Sequence, residues 1–261
     1  MKIATPISTL FSGNQANVQA ILALSDALEV RDLSKKTNYG LPLIYHCEFS
    51  LIHPWSGKSV DHVRSVVARN PDVSFISLHL LSNYADLATN AAGQFCSSIA
   101  QMSKDEMFQN ALNNLGTLKK HLPATIVYGV ENNNYFPTGA YDIVTEPEFV
   151  NNVISKLDIK LLLDLGHSEI TAYYQKVNAL DYVKNFFLDR VYQIHLSSPL
   201  ISKSGCQDSH DILTEHDWNF FAKVLPLCPN LQYLTIEYYK DIGELISMLD
   251  KLRHILYEYQ K

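Results

Sequence analysis

The sequence predicts an α/β fold, a (β/α)8 TIM barrel that occupies residues 1–261 as a single domain. Eight short apolar runs recur along the chain, and most are followed by a helical pattern, as in repeated βα units. Runs such as ATIVYGV and IKLLLDL are apolar on both faces, which is typical of parallel strands covered by helices. No linker, charge block or low-complexity stretch divides the 261 residues, a length at which such barrels are common.

Turn residues bound each apolar run, and the predicted strands are Lys2–Ser8, Ala27–Asp32, Leu41–Phe49, Val73–Leu80, Ala124–Asn132, Lys160–Leu165, Val191–Ser197 and Gln232–Tyr239. The predicted helices are Asn14–Leu24, Val60–Asn70, Lys104–His121, Glu146–Leu157, Ala179–Phe187, Glu215–Leu225 and Asp241–Tyr259. Ser103 with Glu106 is a capping box at the start of the third helix. Little room for a full helix remains between the second and third strands.

An open, doubly wound sheet is the alternative to the barrel. It would normally carry a Gly-rich phosphate-binding turn after the first strand. Only Ser12, Gly13 and Asn14 stand there, so the pattern favours the barrel.

Composition excludes several classes of function. Hydrophobic residues make up 47% of the chain, yet no run approaches the ~18 apolar residues of a membrane span. The net charge of −6 argues against a nucleic-acid partner, because phosphate contacts need a basic surface. The polar N-terminus MKIATPIST does not resemble a secretion signal, and the four cysteines form no CxxC pair. We therefore expect a cytoplasmic protein that binds neither nucleic acid nor membrane.

Six successive strands end on residues that bind metals or transfer protons. The third to eighth strands present His46, His79, Glu131, Asp164 with His167, His195 and Glu237, and the loop after the seventh adds Asp208 and His210. Intervals of 33 residues (46 to 79), 33 (131 to 164) and 31 (164 to 195) each correspond to one βα unit. The C-terminal ends of barrel strands converge on one axial site, so these nine side chains would meet there.

Each of these residues has a structural explanation when taken alone, since a carboxylate after a strand commonly caps a helix. The ordered set favours a metal centre, because buried charges are costly unless paired or metal-bound. One ion uses three or four protein ligands, so nine indicate two or three ions, with Glu131 and Glu237 able to bridge. Nitrogen and oxygen ligands without thiolate suit iron, manganese or zinc.

Other residues that could carry chemistry have simpler explanations. Cys47 should face away from His46 and pack in the core, whereas Cys206, close to Asp208, is a weaker candidate for a redox role. The remaining histidines lie in predicted loops or helices, and we expect them at the surface: His53, His62, His121, His216 and His254.

From about Ala27 to Tyr239 the sequence resembles the multinuclear non-haem iron-dependent oxidases, a branch of the xylose-isomerase-like barrels. The motifs that carry the resemblance follow in order: ALEV, LPLIYHCEFSL, VSFISLHL, VENNNYFPTGAYDIVTEPEFVNNVI, LLLDLGHSEITAYY, DRVYQIHLS, DSH followed by DW, and TIEY. After Glu29 the chain departs from the pattern and reads VRDLSKK, where many relatives carry more polar active-site residues.

The resemblance implies a cluster of two or three irons held by the nine residues above. Members of known activity use dioxygen to rework cysteine or other side chains in ribosomally made peptides, and many work beside a separate peptide-recruiting protein. We expect Glu131, Asp164 and Glu237 to act in catalysis, and Asn132 to support the ligands or orient the substrate.

Other functions are compatible with parts of the pattern. A sugar isomerase or epimerase needs only Glu131, Asp164, His195 and Glu237 around one divalent metal, and leaves the other candidate ligands without a shared purpose. The zinc-dependent apurinic endonucleases share the nine-ligand pattern, but their Gly-rich DNA-contacting turns are missing here. A catalytically silent binding protein is disfavoured, because so many clustered ionisable groups would be costly without a metal.

Overall fold

Eight parallel strands close into a barrel in the computed structural model, which describes residues 1–34, 38–96 and 100–259. The first strand pairs with the last, so the barrel prediction is confirmed and the open-sheet alternative is wrong. The barrel strands are β1 (Lys2–Pro6), β2 (Ala27–Val30), β3 (Leu43–Ser50), β4 (Val73–His79), β5 (Val127–Glu131), β6 (Lys160–Asp164), β7 (Val191–Leu196) and β10 (Tyr233–Ile236). Between β7 and β10 lies an antiparallel hairpin of β8 (Ser198–Ser202) and β9 (Gly205–Asp211).

Helices cover the outside of the barrel: α1 (Gln15–Leu24), α2 (Gly57–Arg69), α3 (Lys104–His121), α4 (Pro147–Leu157), α5 (Leu165–Gln175), α6 (Ala179–Val183), α7 (Glu215–Val224) and α8 (Ile242–Tyr259). The capping box of α3 is confirmed, with the Ser103 hydroxyl accepting from the Glu106 amide at 3.1 Å and Glu106 accepting from the Ser103 amide at 2.7 Å. None of the helices in the described ranges combines the length and apolar character that a membrane crossing needs.

The sequence patterns miss three elements, α5, β8 and β9, and predict one helix too long. Helix α5 follows β6 directly, and every residue from Leu165 to Ala172 is buried, so the helix shows no amphipathic pattern. The predicted helix Ala179–Phe187 ends as α-helix at Val183. Strand β9, with the sequence GCQDSHD, pairs with β8 and lies over the barrel mouth. Only Cys206 of this strand is buried, so its sequence shows no apolar alternation.

The interior of the barrel changes from apolar to polar along the strands. A separate apolar cluster, Ala4, Ala27, Ile44, Phe75 and Tyr233, fills the N-terminal end. Side chains two positions apart on a strand point to the same side, so the next interior layer comes from residues such as Glu29, His46 and Thr235. The polar side chains are therefore collected at the C-terminal mouth.

Candidate metal centre

The barrel mouth brings the candidate ligands together in two groups that share one residue. His46, His79 and Glu131 form the first group, and Glu131, Asp164, His195 and Glu237 form the second. Within each group, one potential ligand atom per residue lies within 4.8 Å of all the others. Glu131 belongs to both groups, which is the arrangement that a bridging carboxylate would have.

The remaining three candidate ligands lie beside the second group. The Nε2 atom of His167 is 3.2 Å from Asp208 Oδ2, and His210 Nε2 is 3.4 Å from the same oxygen. His210 Nε2 is also 3.3 Å from Glu237 Oε2, which connects the hairpin to the barrel. His210 has a positive φ of 45°, a backbone conformation that is uncommon outside glycine and tends to occur at functional sites.

The buried polar atoms at the mouth match the requirements of a cation. Among the described residues, Glu131 Oε2, Asp164 Oδ2, His195 Nδ1 and Asp208 Oδ1 are buried without a hydrogen-bond partner. Unpartnered carboxylate oxygens in a buried site are costly, and a divalent cation removes that cost by accepting their lone pairs. The residues present therefore fit a bound metal.

Asp164 caps a helix and also faces the centre. Its Oδ1 accepts a hydrogen bond from the His167 amide at 2.7 Å at the N-terminus of α5, while Oδ2 points to the other ligands. Burial raises the pKa of Asp164 to about 7; His167 opposes the rise, and the nearby carboxylates of Glu131 and Glu237 add to it. The helix-cap explanation and the ligand explanation thus hold for different oxygens of one side chain.

Hydrogen bonds from the far ring nitrogen orient two of the histidines. His46 Nδ1 is 2.9 Å from the Ser77 hydroxyl, and His167 Nδ1 is 2.9 Å from the carbonyl oxygen of Asn132. In both rings Nε2 is left facing the cluster of carboxylates. Partners of this kind fix the tautomer and the direction of a metal-binding imidazole.

Asn132 supports the strand that carries Asp164. Its Oδ1 accepts from the Asp164 amide at 2.7 Å, and its Nδ2 donates to the Asp164 carbonyl at 3.0 Å and to Ser168 at 3.2 Å. The side chain is fully buried and its amide hydrogens are engaged. The geometry agrees with a supporting role for Asn132 and offers no amide hydrogen for orienting a substrate.

Two residues of the polar layer were not predicted from the sequence. Glu29 Oε2 lies 3.0 Å from His195 Nε2, and Arg31 lies 2.6 Å from Glu29 Oε1 and also contacts Glu237. Burial opposes ionisation of Glu29, but Arg31 and His195 lower its pKa to about 2. Glu29 stands near the end of the second strand, so the strand-end rule applied to every strand would have found it.

The prediction that the other histidines lie at the surface is partly wrong. His53 is buried, with Nδ1 2.6 Å from the Ser50 hydroxyl and Nε2 2.8 Å from the Tyr84 carbonyl oxygen. His62 is half-buried and lies 2.8 Å from Asp32. Tertiary neighbours supply both partners, so the loop and helix positions alone could not show the burial. The remaining three are exposed: His121, His216 and His254.

The cysteines of the barrel are shielded from solvent. Cys47 is fully buried, so the prediction of core packing is confirmed, and burial raises its pKa to about 12. Cys206 is also buried, and burial raises its pKa too; its amide donates to the Tyr174 hydroxyl at 3.2 Å.

A cavity of about 610 Å³ opens beside the candidate ligands. His79, His167 and Asp208 form part of its wall, so a bound molecule would reach the metal centre directly. The rest of the wall is largely uncharged and consists of Leu81, Ala92, Gly93, Gln94, Phe95, Asn133, Asn134, Phe136, Tyr141, Cys206 and Gln207.

The sequence matches the family model of the RiPP precursor modification enzymes MbnB/TglH/ChrH over residues 50–258, which is most of the chain. The chain belongs to this family. RiPPs are ribosomally synthesised and post-translationally modified peptides, so the family assignment identifies an enzyme that modifies precursor peptides. It confirms the resemblance to the multinuclear iron-dependent oxidases. Among curated protein sequences no match is found.

Solved structures similar to this family member are xylose-isomerase-like barrels. A D-tagatose 3-epimerase-like protein superposes with a TM-score of 0.62 at 15% identity, with 100% of both chains covered. D-psicose 3-epimerase from Clostridium cellulolyticum H10 has a TM-score of 0.60 at 12% identity, covering 98% of this chain and 99% of the other. A xylose isomerase-like TIM barrel protein from Mycobacterium smegmatis in complex with magnesium has a TM-score of 0.59 at 12% identity, covering 98% and 96%. Identities this low establish the fold alone.

Proposed function

We propose that the protein is an iron-dependent oxidase that uses dioxygen to modify a side chain, cysteine in the first instance, of a ribosomally made peptide. The observation that carries the proposal is the pair of ligand groups that share Glu131. One ion would bind to His46, His79 and Glu131, and a second to Glu131, Asp164, His195 and Glu237. The nearby triplet of His167, Asp208 and His210 offers ligands for a third.

The ligand chemistry supports iron without requiring it. The nine candidates contribute five imidazoles and four carboxylates, a mixture that suits iron and also manganese or zinc. A cluster of two or three irons, when bound, would supply the binding of dioxygen and the acceptance of electrons from the side chain. The family assignment to peptide-modifying enzymes favours this chemistry over a purely hydrolytic one.

The protein would contribute ligand geometry and a cavity with little charge. Hydrogen bonds of His46 Nδ1 with the Ser77 hydroxyl and of His167 Nδ1 to the Asn132 carbonyl oxygen hold the two rings in place. The Gln94 and Asn134 amides and the Phe95 and Phe136 rings beside the metal centre suit a peptide, because amides bond to its main chain and aromatic rings pack on its side chains.

Anaerobic loading with Fe(II), followed by exposure to dioxygen in the presence of a cysteine-containing precursor peptide, tests the proposal. We expect more than one iron per chain, oxygen uptake and a change in peptide mass. Zinc-loaded protein should show neither oxygen uptake nor a change in peptide mass. His46→Ala should abolish the reaction, whereas His121→Ala, at an exposed position on α3, should not. One or no equivalent of metal per chain would refute the multinuclear centre.

A separate peptide-recruiting protein is a further part of the proposal. It is supported by the resemblance, because many members of the family work beside such a protein. The precursor peptide should then be modified slowly by the enzyme alone and faster when that protein is added. Equal rates with and without it would remove this part of the proposal.

Sugar epimerisation is the second candidate function, because the four-residue group is the set that a one-metal epimerase needs. The structural similarity to epimerases agrees with it but establishes the fold alone. An epimerase would tolerate loss of Asp208 and His210, which a multinuclear oxidase would not. Turnover of ketohexoses by an Asp208→Ala, His210→Ala double variant would favour this alternative.

A further inference from the structure

We propose that the C-terminal end of β2 and the residue after it, which supply none of the nine candidate ligands, align two of them: Glu29 holds His195 in one tautomer, and Arg31 orients the carboxylate of Glu237. The inference rests on the metal centre of the proposed function and extends it to two positioning residues.

The two ring nitrogens of His195 face different groups. Nε2 lies 3.0 Å from Glu29 Oε2, whereas Nδ1 lies 3.5 Å from Glu131 Oε1 and 3.3 Å from Glu237 Oε2. His195 and Glu29 are both fully buried, so no water competes for these positions. Nδ1 has no hydrogen-bond partner within the described residues, which leaves it for a cation.

Gln193 and Thr235 decide which nitrogen carries the proton. Gln193 Nε2 lies 2.5 Å from Glu29 Oε2, 2.8 Å from Thr235 Oγ1 and 3.0 Å from His195 Nε2. Donation to Glu29 and Thr235 engages both amide hydrogens and leaves none for His195. Nε2 of His195 must therefore donate to the ionised Glu29 carboxylate, because two lone pairs 3.0 Å apart in a buried site would repel. A proton fixed on Nε2 leaves the Nδ1 lone pair for the metal.

Arg31 acts on the second ligand in a similar way. Its guanidinium contacts Glu29 Oε1 at 2.6 Å, contacts Glu237 Oε1, and donates to the Tyr239 hydroxyl at 2.9 Å. With Oε1 of Glu237 engaged by the arginine, Oε2 is directed to His195 Nδ1 and His210 Nε2, each 3.3 Å away. The ion pair with Arg31 also stabilises the charged form of the buried Glu29.

Glu29→Gln tests the first half of the proposal, because it keeps the shape of the side chain and removes its charge. Co²⁺ titration followed by its visible absorption should show affinity at the four-ligand position reduced about 10- to 100-fold, the usual effect of losing such a partner. The position formed by His46 and His79 should keep its affinity. Arg31→Met, which keeps much of the side-chain length but removes the charge and every N–H donor, should weaken the same position.

A matched control separates positioning from general destabilisation. Asp32→Asn removes another buried carboxylate next to β2, one that bonds Tyr45, His62 and the Glu48 amide. It should lower the melting temperature without changing Co²⁺ affinity. An equal loss of affinity in Asp32→Asn and Glu29→Gln would overturn the positioning role.

The tautomer is read directly by ¹⁵N NMR of histidine-labelled, zinc-loaded protein. The wild type should show one solvent-protected ring with a proton on Nε2 and zinc on Nδ1, assigned to His195 by substitution. Unchanged affinity and tautomer in folded Glu29→Gln would refute the inference and leave the proposed function intact. Absence of metal binding in the wild type would refute both.

Discussion

Removing the two hairpin ligands together is the sharpest test of a multinuclear centre. Asp208 and His210 lie on β9, and their side chains are 22% and 28% exposed. In the Asp208→Ala, His210→Ala double variant the backbone pairing of β8 with β9 remains, since it does not use these side chains. We therefore expect the barrel to stay folded and the metal content to fall by about one ion per chain.

The magnitudes follow from exposure and mass action. Partly exposed pairs of this kind contribute about 0–1 kcal/mol each, so the metal-free variant should melt within a few degrees of the wild type. A site with free metal at a hundred times its Kd adds about 2.7 kcal/mol of stability, and that increment should disappear from the variant. Elemental analysis and melting curves with and without metal measure both effects.

Asp211→Ala serves as the control for the double variant. Asp211 lies on the same strand, is exposed, and pairs with Lys240 outside the cluster. It should retain the wild-type metal content and the full metal-dependent shift in melting temperature. A double variant that keeps every ion, or one that loses all metal while remaining folded, would refute a separate position for these two ligands.

Two other predictions test the packing around the centre. A Cβ atom on Gly166 would lie 2.2 Å from Ser197 Oγ, so Gly166→Ala should destabilise the protein by about 1–3 kcal/mol and weaken metal binding. Gly116 on α3 has open space around it, so Gly116→Ala should stabilise the protein by about 0.5–1 kcal/mol. Chemical denaturation measures the free energy of unfolding of both variants. The pKa of Cys47 is raised to about 12, so only about one part in ten thousand of its thiol is thiolate at pH 8. In folded protein, mass spectrometry should therefore show slower alkylation of Cys47 than of the partly exposed Cys96. Equal rates would contradict the buried placement of Cys47.

Local pattern was sufficient for the architecture and for the choice of ligand types. Apolar runs identify the eight barrel strands because a strand covered on both faces must be apolar along its length. His46, Glu131 and Glu237 could be selected because each ends such a run, and strand ends share one face of a barrel. The capping box of α3 was predictable for a similar reason, since its hydrogen bonds join residues only three positions apart.

Elements and residues whose burial depends on distant neighbours could not be predicted from local sequence patterns. The first eight residues of α5, Leu165–Ala172, are buried against the hairpin, β7 and α6, so they do not divide into the buried and exposed faces by which a surface helix is detected. His53 is buried because the fold brings to it Tyr84, 31 residues away, whose carbonyl oxygen accepts a hydrogen bond from His53 Nε2. In both cases the decisive partner is supplied by the fold.

The sequence by itself was enough to predict a barrel with candidate metal ligands at its strand ends, because those features come from short-range alternation and spacing. Only the tertiary structure decided how the residues work together. Glu29 reaches His195 across 166 residues and Arg31 reaches Glu237 across 206, contacts that exist because the barrel closes through β1 and so brings β2 near β10 and β7. Which nitrogen or oxygen faces the centre depends on those contacts, and no local pattern in the chain encodes it.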